Sequence, residues 1–252
     1  MKKHTLLLSA ATLLFSGAAY SDTVFGIYAG AQAWQMDASG GYANTSTITE
    51  FDFDDATRNN LYVALEHPIP GIPNIKVQRT SMDTDGVTTL SSSFTFGDQV
   101  FVSQSQVMTD VTLTSTDVVL YYELFDNDLL SLDFGLNAKY VDGDFLVVDT
   151  SDPTLDGQES FSGFVPMLYS RISFGLPGTG FSLGAEGSFL SVDDHTLQDY
   201  QLAVTYELVE NPAVDANLQL GYRKIQMELD DLDNIYSDLD FDGPFVGLEV
   251  HF

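Results

Sequence analysis

The last fifteen residues of the chain, DLDFDGPFVGLEVHF, space their carboxylates as a metal-binding loop would. Asp238, Asp240, Asp242, Gly243 and Glu249 fit the calcium-loop pattern D-x-D-x-D-G-x5-E at every specified position. Carboxylate oxygens are ligands that Ca²⁺ prefers, and they must lie within about 2.6 Å of the ion. A calcium loop would therefore have to fold back on itself so that Glu249 meets the three aspartates.

The same stretch also alternates like one face of a β-strand, which has to run straight. The apolar positions of this alternation are Val246, Leu248, Val250 and Phe252. In a strand, Glu249 would lie roughly 23 Å beyond Asp242, too far to share an ion with it. We therefore predict that the calcium pattern is a coincidence. On this prediction Asp238–Asp242 belong to an outer loop, Gly243-Pro244 mark the entry, and the last residues form a closing strand.

Further acids cluster between the apolar segments of the chain. They are Asp52, Asp54, Asp55, Asp142, Asp144, Asp230, Asp231, Asp233, Asp238, Asp240 and Asp242. Such carboxylates suit hard cations, so weak binding of divalent cations at several places is one hypothesis. Solvation, with repulsion between loops, is the alternative. With nine Lys+Arg against 37 Asp+Glu and a formal net charge of -28, the chain should repel nucleic acid and, by its own charge, anionic lipid.

Motifs for the common cofactors are missing from the sequence. It has no glycine-rich phosphate loop, no zinc-spaced His/Cys set and no nucleophile elbow. His67, His195 and His251 stand far apart, and the chain contains no cysteine. We therefore expect no cofactor, no ordered metal site and no catalytic site of these kinds.

The N-terminus has the parts of a secretory signal peptide. Lys2 and Lys3 precede an apolar run from Thr5 to Phe15, and Ala19-Tyr20-Ser21 offers a small-x-small cleavage site. We predict cleavage after Ser21, leaving residues 22–252 as one domain. No stretch after Ser21 is apolar for long enough to form a transmembrane helix. The mature chain is thus either an exported soluble protein or a membrane-spanning β-barrel.

Segments with a period of two recur along the mature chain. In LSLDFGLNAKY (130–140), apolar and aromatic residues alternate with Ser, Asp, Gly, Asn and Lys. Similar segments occur at 181–189, 200–208 and 216–223, with weaker ones at 25–34, 58–66, 75–82, 116–125 and 162–176. With the C-terminal strand they make ten. Each has about the length that a tilted strand needs to cross a bilayer.

The connections between these segments alternate in length. The short ones are 67–74, 126–128, 177–180 and 210–214, and the longer, acidic ones are 37–57, 83–110, 142–159 and 230–240, with 191–196 as a short exception. This is the plan of an antiparallel up-and-down outer-membrane barrel with short periplasmic turns, long extracellular loops and both termini in the periplasm. A soluble β-sandwich is the alternative, but aromatics near the strand ends and Gly and charge on the opposite faces favour the barrel. Residues 87–107 also alternate, as a hairpin or as two further strands, so eight, ten and twelve strands remain open.

The alternation that ends on Phe252 resembles the C-terminal signature of outer-membrane β-barrel proteins. In that class the final aromatic residue is read by the barrel assembly machinery. The stretches DTVFGIYAGAQAW, PNIKVQRTSMDTDG and TSTDVVLYYELFDNDLLSLDFGLNAKYVDG further resemble a family of small Gram-negative outer-membrane barrels of unassigned function. That family is associated with genomes that carry the GlyGly-anchor (rhombosortase) surface system. The resemblance implies the fold and a setting of outer-membrane lipid and surface glycolipid, but no reaction.

Charged residues within the strands should face the lumen, because a charge that faces lipid is costly. By parity the lumen receives Glu66, Lys76, Asp117, Glu123, Asp133, Lys139, Arg171, Glu186, Glu207, Arg223 and Glu249. We favour a structural network of ion pairs that fills a narrow lumen, with a polar relay or cation path as the alternative. A ten-stranded barrel leaves little room for a wide aqueous channel.

Two acidic units are similar to the catalytic rim of omptin-type outer-membrane proteases. These are Asp83-x-Asp85 and Asp193-Asp194-His195. In such proteases an Asp pair and an Asp-x-His unit activate a water for peptide cleavage. A solvated acidic rim explains the same residues without chemistry. The sequence therefore predicts a non-enzymatic outer-membrane barrel with a structural, surface-interaction or narrow solute or cation transport role, and a rim protease is the alternative.

Overall fold

The computed structural model describes residues 25–127, 129–192, 195–211, 214–232 and 235–252. For residues 192, 195, 231 and 232 it describes the backbone alone. The predicted signal peptide at residues 1–21 lies outside the described residues, as do Asp193, Asp194 and Asp233. The side chains of Asp231 and His195 lie outside them as well.

The alternating segments fold into long β-strands, because alternation gives each strand one polar face and one apolar face. The strands are β1 (Gly26–Ala43), β2 (Thr49–Glu50), β3 (Ala56–Glu66), β4 (Asn74–Ser81), β5 (Thr84–Thr89), β6 (Phe94–Phe96), β7 (Gln99–Phe101), β8 (Gln106–Asp126), β9 (Leu130–Asp149), β10 (Asp156–Leu176), β11 (Phe181–Val192), β12 (His195–Val209), β13 (Asp215–Leu232) and β14 (Ile235–His251). Among the described residues, no helix is long and apolar enough to cross a membrane.

The long strands form one closed antiparallel sheet. Each pairs with its neighbours along the chain, and β14 returns to pair with β1. Both β4 and β5 pair with β8, so together they occupy one strand position in the wall, and the barrel is ten-stranded. At the seam, the Ile27 N–H donates to the Phe252 carbonyl at 3.2 Å and the Phe252 N–H donates back at 2.9 Å. The prediction of a ten-stranded up-and-down barrel is confirmed.

An apolar belt surrounds the barrel on its outer face. Its members include exposed residues such as Leu136, Leu183, Leu202, Leu220 and Leu248. Aromatic pairs mark its two edges: Tyr140 lies against Phe164 (ring centroids 4.9 Å apart) on one side, and Phe181 lies against Tyr206 (4.7 Å) on the other. Such a belt on a closed barrel is a lipid-facing surface. We call the end of the barrel that carries both termini the terminal end and the opposite end the far end.

The strands continue past the belt at the far end, where the sequence predicts loops. Asp142 and Asp144 lie within β9, and Asp238–Asp242 lie within β14. Gly243-Pro244 is likewise inside β14 rather than at its start. The prediction of loops over 142–159 and 230–240 is therefore wrong for most of these residues. The 21 residues of β10 would extend about 70 Å along the strand, well over what an apolar band about 25 Å tall requires.

The far half is extended because its inward side chains are large and apolar. Fully buried members of this far-half core are Met36, Tyr42, Val107, Leu113, Phe145, Val147, Leu239 and Phe241. A narrow barrel with such a filling stays closed and strand-like above the membrane. The same alternation in the terminal half points polar side chains inward, so the two halves of the lumen differ in chemistry.

Residues 87–107 do not add strands to the wall. Their two ends complete β5 and β8, and β6 and β7 form a separate hairpin between them. Phe96 and Phe101 of this hairpin are fully buried, with the Phe96 ring 5.0 Å from that of Tyr42. The Gly97 N–H donates to Asn44 Oδ1 at 3.0 Å. The hairpin is thereby anchored against the far-half core, which it helps to cover.

Candidate functional site

The polar lumen of the terminal half holds the charged residues that the sequence assigns to the interior. The structure gathers them in three places: a central network at mid-barrel, a tyrosine–carboxylate layer below it, and a cavity at the terminal end. We define the central network as Asp117, Lys139, Asp199 and Arg223.

The central network is a balanced set of two acids and two bases. Lys139 Nζ lies 2.8 Å from Asp117 and 2.9 Å from Asp199. Arg223 donates from Nε and Nη2 to the two oxygens of Asp199, at 3.0 Å and 2.8 Å. All four residues are buried. Because each buried charge faces an opposite one, the network can remain ionised inside the barrel.

Four different strands supply this network. Asp117 on β8 and Lys139 on β9 are direct cross-strand partners, whereas Asp199 on β12 reaches Lys139 from across the lumen. The Trp34 ring of β1 lies over the Arg223 guanidinium at 5.5 Å. Together these side chains fill the lumen between the polar terminal half and the apolar far half.

Asp199 is the member of the network that the sequence prediction missed. The predicted strand begins at Tyr200, whereas β12 begins at His195. Asp199 has the same parity as Gln201 and Glu207, so an earlier strand start would have placed it in the lumen. Its partners stand 60 and 24 residues away in the chain, and only the closed barrel brings them together.

Below the central network, tyrosine hydroxyls bind inward carboxylates. Tyr62 donates to Glu249 Oε2 at 2.6 Å, and Tyr121 donates to Glu66 Oε1 at 2.8 Å. Lys76 pairs with Glu186 at 2.5 Å and lies 4.6 Å from the centre of the Tyr62 ring. No sequence signal pointed to the tyrosines as carboxylate partners, since strand parity gives the face of a residue but not its neighbour.

Uncharged side chains extend this layer along the wall. Gln219 Nε2 donates to the Tyr62 hydroxyl at 3.1 Å, Gln32 Nε2 donates to Gln219 Oε1 at 3.0 Å, and Asn60 Nδ2 donates to Gln32 Oε1 at 2.7 Å. Gly30 leaves room for the Tyr62 ring, because a Cβ at position 30 would lie 2.1 Å from Tyr62 Cζ. From Asn60 through Gln32, Gln219 and Tyr62 to Glu249, this part of the layer is one continuous chain of hydrogen bonds.

A cavity of about 840 Å³ opens at the terminal end of the barrel. Its lining includes Arg171, Glu186, Gln201, Glu207 and Glu249. Among the described residues, no carboxylate oxygen lies within 4.0 Å of the Arg171 guanidinium. The acids of the lining already outnumber its base Arg171, and the inward Glu66, Glu123 and Asp133 add to the excess, so small cations are the solutes its charge attracts.

The residues of the rim-protease hypothesis are only partly described. Asp83 and Asp85 alternate with the buried Met82 and Thr84, so both aspartates face the outside of the wall. Asp83 accepts hydrogen bonds from Ser81 Oγ at 2.7 Å and from the Leu113 N–H at 3.0 Å. Asp193 and the side chain of His195 lie outside the described residues. The hypothesis stays a prediction, without a described catalytic pair.

The carboxylates of the calcium pattern lie on opposite faces of one strand. Asp238, Asp240 and Asp242 alternate with the buried Leu239 and Phe241 and so face outward, while Glu249 is buried in the lumen. Over the described part of the chain, no three metal-ligating side chains converge on one point. The prediction that residues 246–252 form the closing strand is confirmed.

Outward acids above the belt interact with neighbouring strands. Asp240 pairs with Lys224 at 3.0 Å, and this hydrogen bond raises the pKa of Lys224. Asp242 stands directly opposite Asp37 of β1 in the register. Like charges in this position repel each other, and on its other side Asp242 stands opposite Lys224 of β13 and accepts a hydrogen bond from the Tyr222 hydroxyl.

The closed wall, the apolar belt and the polar lumen define the class of this molecule as a transmembrane β-barrel of the outer-membrane type. No protein-family model matches the sequence, and no curated protein matches it significantly. The narrower family that the sequence resembles therefore stays a prediction.

Solved outer-membrane barrels are similar in structure. They include the outer membrane protease OmpT from Escherichia coli (9% identity, 93% of this chain and 99% of that chain, TM-score 0.46). They also include the transport unit of the autotransporter AIDA-I from Escherichia coli (11%, 96% and 95%, 0.44) and the attachment invasion locus protein Ail of Yersinia pestis (11%, 90% and 97%, 0.33). Likeness at this level carries no argument about activity.

Proposed function

We propose that this protein is a closed, non-conducting barrel of the Gram-negative outer membrane whose far-end extension acts as an interaction surface. Its termini face the periplasm in this proposal. The observation that carries it is the filling of the lumen by the central network and, beyond that network, by the apolar far-half core. Nothing is catalysed or carried through in this role.

The filling argues against a solute channel. Lys139, Arg223 and Trp34 are each no more than 2% exposed, so the mid-barrel lumen is packed with side chains rather than lined by them. Moving Lys139 or Arg223 would take a cationic partner from a buried carboxylate, which is costly. Above them, an ion would have to pass apolar residues such as Phe145 and Phe241.

The far-end extension supports the surface role. Its outward acids stand on rigid strands above the lipid belt, at positions such as Asp144, Asp238 and Asp240. Divalent cations held weakly between such carboxylates and the phosphates of surface glycolipid would join two anionic surfaces. Binding of this kind needs no ordered metal site.

Planar-bilayer recording of the purified chain tests the closed state. We expect no conductance steps for the native chain, with a water-filled porin recorded in the same bilayers as the positive control. The double variant Trp34→Ala/Arg223→Ala removes two side chains that fill mid-lumen but should stay silent as well, because the apolar far-half core still closes the lumen beyond them. Reproducible unitary steps in the native chain would refute the proposal.

Binding to lipopolysaccharide-containing vesicles tests the surface role separately. We expect Mg²⁺-dependent association of soluble, nanodisc-held barrels with these vesicles, and a marked loss of it in Asp238→Asn/Asp240→Asn/Asp242→Asn. The matched control is Asp215→Asn, a partly exposed acid at the terminal end. Association that does not depend on Mg²⁺ or on the three far-end acids contradicts this part of the proposal.

A further inference from the structure

Over the described residues, the barrel wall is lower at the β11–β12 hairpin than at the neighbouring strands β10 and β13. β11 and β12 end with the pair Val192↔His195, whereas β13 and β14 rise to Leu232↔Ile235. On its β9 side, β10 is paired up to Asp156↔Val148. On its β11 side, the ladder stops at Leu168↔Phe189. Residues 156–167 of β10 and 229–231 of β13 therefore border an opening above the hairpin, which we call the wall gap.

Pro166 stands close to where the β10–β11 ladder stops. Pro166 is paired with Ala138 of β9. It lies two residues before Leu168, the residue at which pairing of β10 with β11 begins along the chain. Proline has no N–H to donate and is confined in sheets to edges and irregular positions. A proline here is suited to a strand with one free side, as the wall gap requires.

At the base of the wall gap lies an apolar cavity of about 330 Å³. Inward-facing residues line its depth, including Val141, Phe161, Leu197 and Met227. Phe164, Pro166, Thr196 and Glu228 lie around it as well. A volume of this size is at the small end of the range for ligand sites, which is about 300–1,000 Å³. The lining offers dispersion contacts and almost no hydrogen-bond partners, so the fitting occupant is a slender hydrocarbon.

The cavity is continuous with the lipid-facing belt. Phe164, which lines it, is 75% exposed on the outer face and packs against the Tyr140 ring at the far-end edge of the belt. Leu168, 53% exposed, continues the belt below it on the same strand. A hydrocarbon chain in the adjoining leaflet can thus reach the cavity through the wall gap without crossing water.

We infer that the wall-gap cavity binds the alkyl chain of a membrane lipid from the leaflet that adjoins the far end. The alkyl chain enters from the side of the barrel, beside the edge of β10 that is not paired with β11, and packs against Phe161, Leu197 and Met227. Its headgroup stays outside, level with Thr196 and Glu228. This inference is independent of the proposed surface role, since it concerns the side of the barrel rather than its far-end acids.

Photolabelling of the full chain in lipid bilayers tests the inference. One arm uses a phospholipid with a diazirine at the end of an acyl chain, and the other uses a free fatty acid with the same diazirine. Bulk lipid should label outward residues such as Phe164 and Leu168 whether or not a lipid occupies the cavity. The phospholipid can label the inward Phe161, Leu197 or Met227 only if its acyl chain lies inside the barrel wall. We expect this labelling.

The variant Gly163→Phe should block the site. A Cβ at Gly163 meets no heavy atom within 4 Å, so the new ring has open space beside the cavity. We expect inward labelling to fall by about tenfold, equivalent to about 1.4 kcal/mol of binding free energy. Gly163→Leu serves if the larger variant does not fold. The matched control is Gly184→Phe, which adds the same ring at the terminal-end cavity, where the nearest heavy atom to a Cβ is 3.7 Å away.

Three results would overturn the inference. The first is phospholipid labelling confined to outward residues. The second is inward labelling that Gly163→Phe and Gly163→Leu leave unchanged in heat-modifiable, folded barrels. The third is inward labelling by the free fatty acid alone, which would identify a soluble hydrocarbon ligand in place of a membrane lipid.

Discussion

Arg223 and Asp199 form a two-point ion pair inside the barrel, with Nε 3.0 Å from Oδ1 and Nη2 2.8 Å from Oδ2. The same Asp199 Oδ2 accepts a hydrogen bond from Lys139 at 2.9 Å. One carboxylate thereby joins β9, β12 and β13 across the lumen. Planar, bidentate pairing of this kind is the strong form of an ion pair, and it holds the filled lumen in one arrangement.

Removing the shared charge should destabilise the barrel strongly. In Asp199→Asn, two buried cations lose their common partner, and breaking such a pair costs about 3–5 kcal/mol. Urea unfolding in lipid vesicles, followed by tryptophan fluorescence, measures the loss. Asp240→Asn is the matched control, because it removes an acid from the more exposed pair with Lys224, which should contribute about 1 kcal/mol or less. Equal losses in the two variants would mean that the central network does not stabilise the fold.

The β6–β7 hairpin should depend on its buried rings. Phe96→Ala removes a fully buried aromatic side chain, a change that typically costs about 3–5 kcal/mol. We expect the hairpin to become susceptible to added protease while the belt region stays protected, as fragment mass spectrometry would reveal. Val100→Ala in the same hairpin is the control, because Val100 is 58% exposed. If both variants resist protease equally, the hairpin is not held by the far-half core.

The opposed acids of the outer face should respond to divalent cations. Asp37 and Asp242 face each other across the β1–β14 seam, so Asp37→Asn should raise stability by about 0.2–1 kcal/mol without added salt. Added Mg²⁺ should stabilise the native chain more than this variant, because part of the repulsion has already been removed. Thermal unfolding with and without MgCl₂ measures both effects. Asp144→Asn is the control, since its cross-strand partners Thr112 and Ser160 are uncharged. A Mg²⁺ response identical in all three chains contradicts this account.

The C-terminal residue should matter for assembly more than for cation binding. Phe252 exchanges two backbone hydrogen bonds with Ile27 and exposes 57% of its surface at the terminal edge of the belt. Deleting it should lower the fraction of heat-modifiable barrel in the outer membrane, while calorimetry with calcium stays unchanged. Phe252→Ala keeps the backbone bonds and so separates the role of the ring from that of the seam. An altered calcium response with normal assembly would instead support the calcium-loop interpretation.

Much of the lumen was predictable from local alternation alone. The two-residue period of a strand assigns each residue to one face of the wall. Lys139, Glu186 and Glu249 could therefore be placed in the interior before their partners were known. The short turns at the terminal end were equally visible, because Gly, Pro and Asn interrupt the alternation there. The far-end strand extensions were not predicted, since a run of outward acids such as 238–242 suggests a loop unless its inward neighbours are known to be buried.

The sequence by itself determined the alternation and the side of the wall on which charges within the predicted strands lie, because these follow from the two-residue repeat of a strand. The number of strands, which the sequence left at eight, ten or twelve, was decided by the pairing of β4 and β5 with β8. The tertiary structure alone decided which charges meet, because register and barrel closure bring together residues from distant strands. Asp199 and Lys139, 60 residues apart, became partners only when the wall closed. The wall gap likewise arises from the unequal heights of neighbouring hairpins, a relation between strands that no single segment contains.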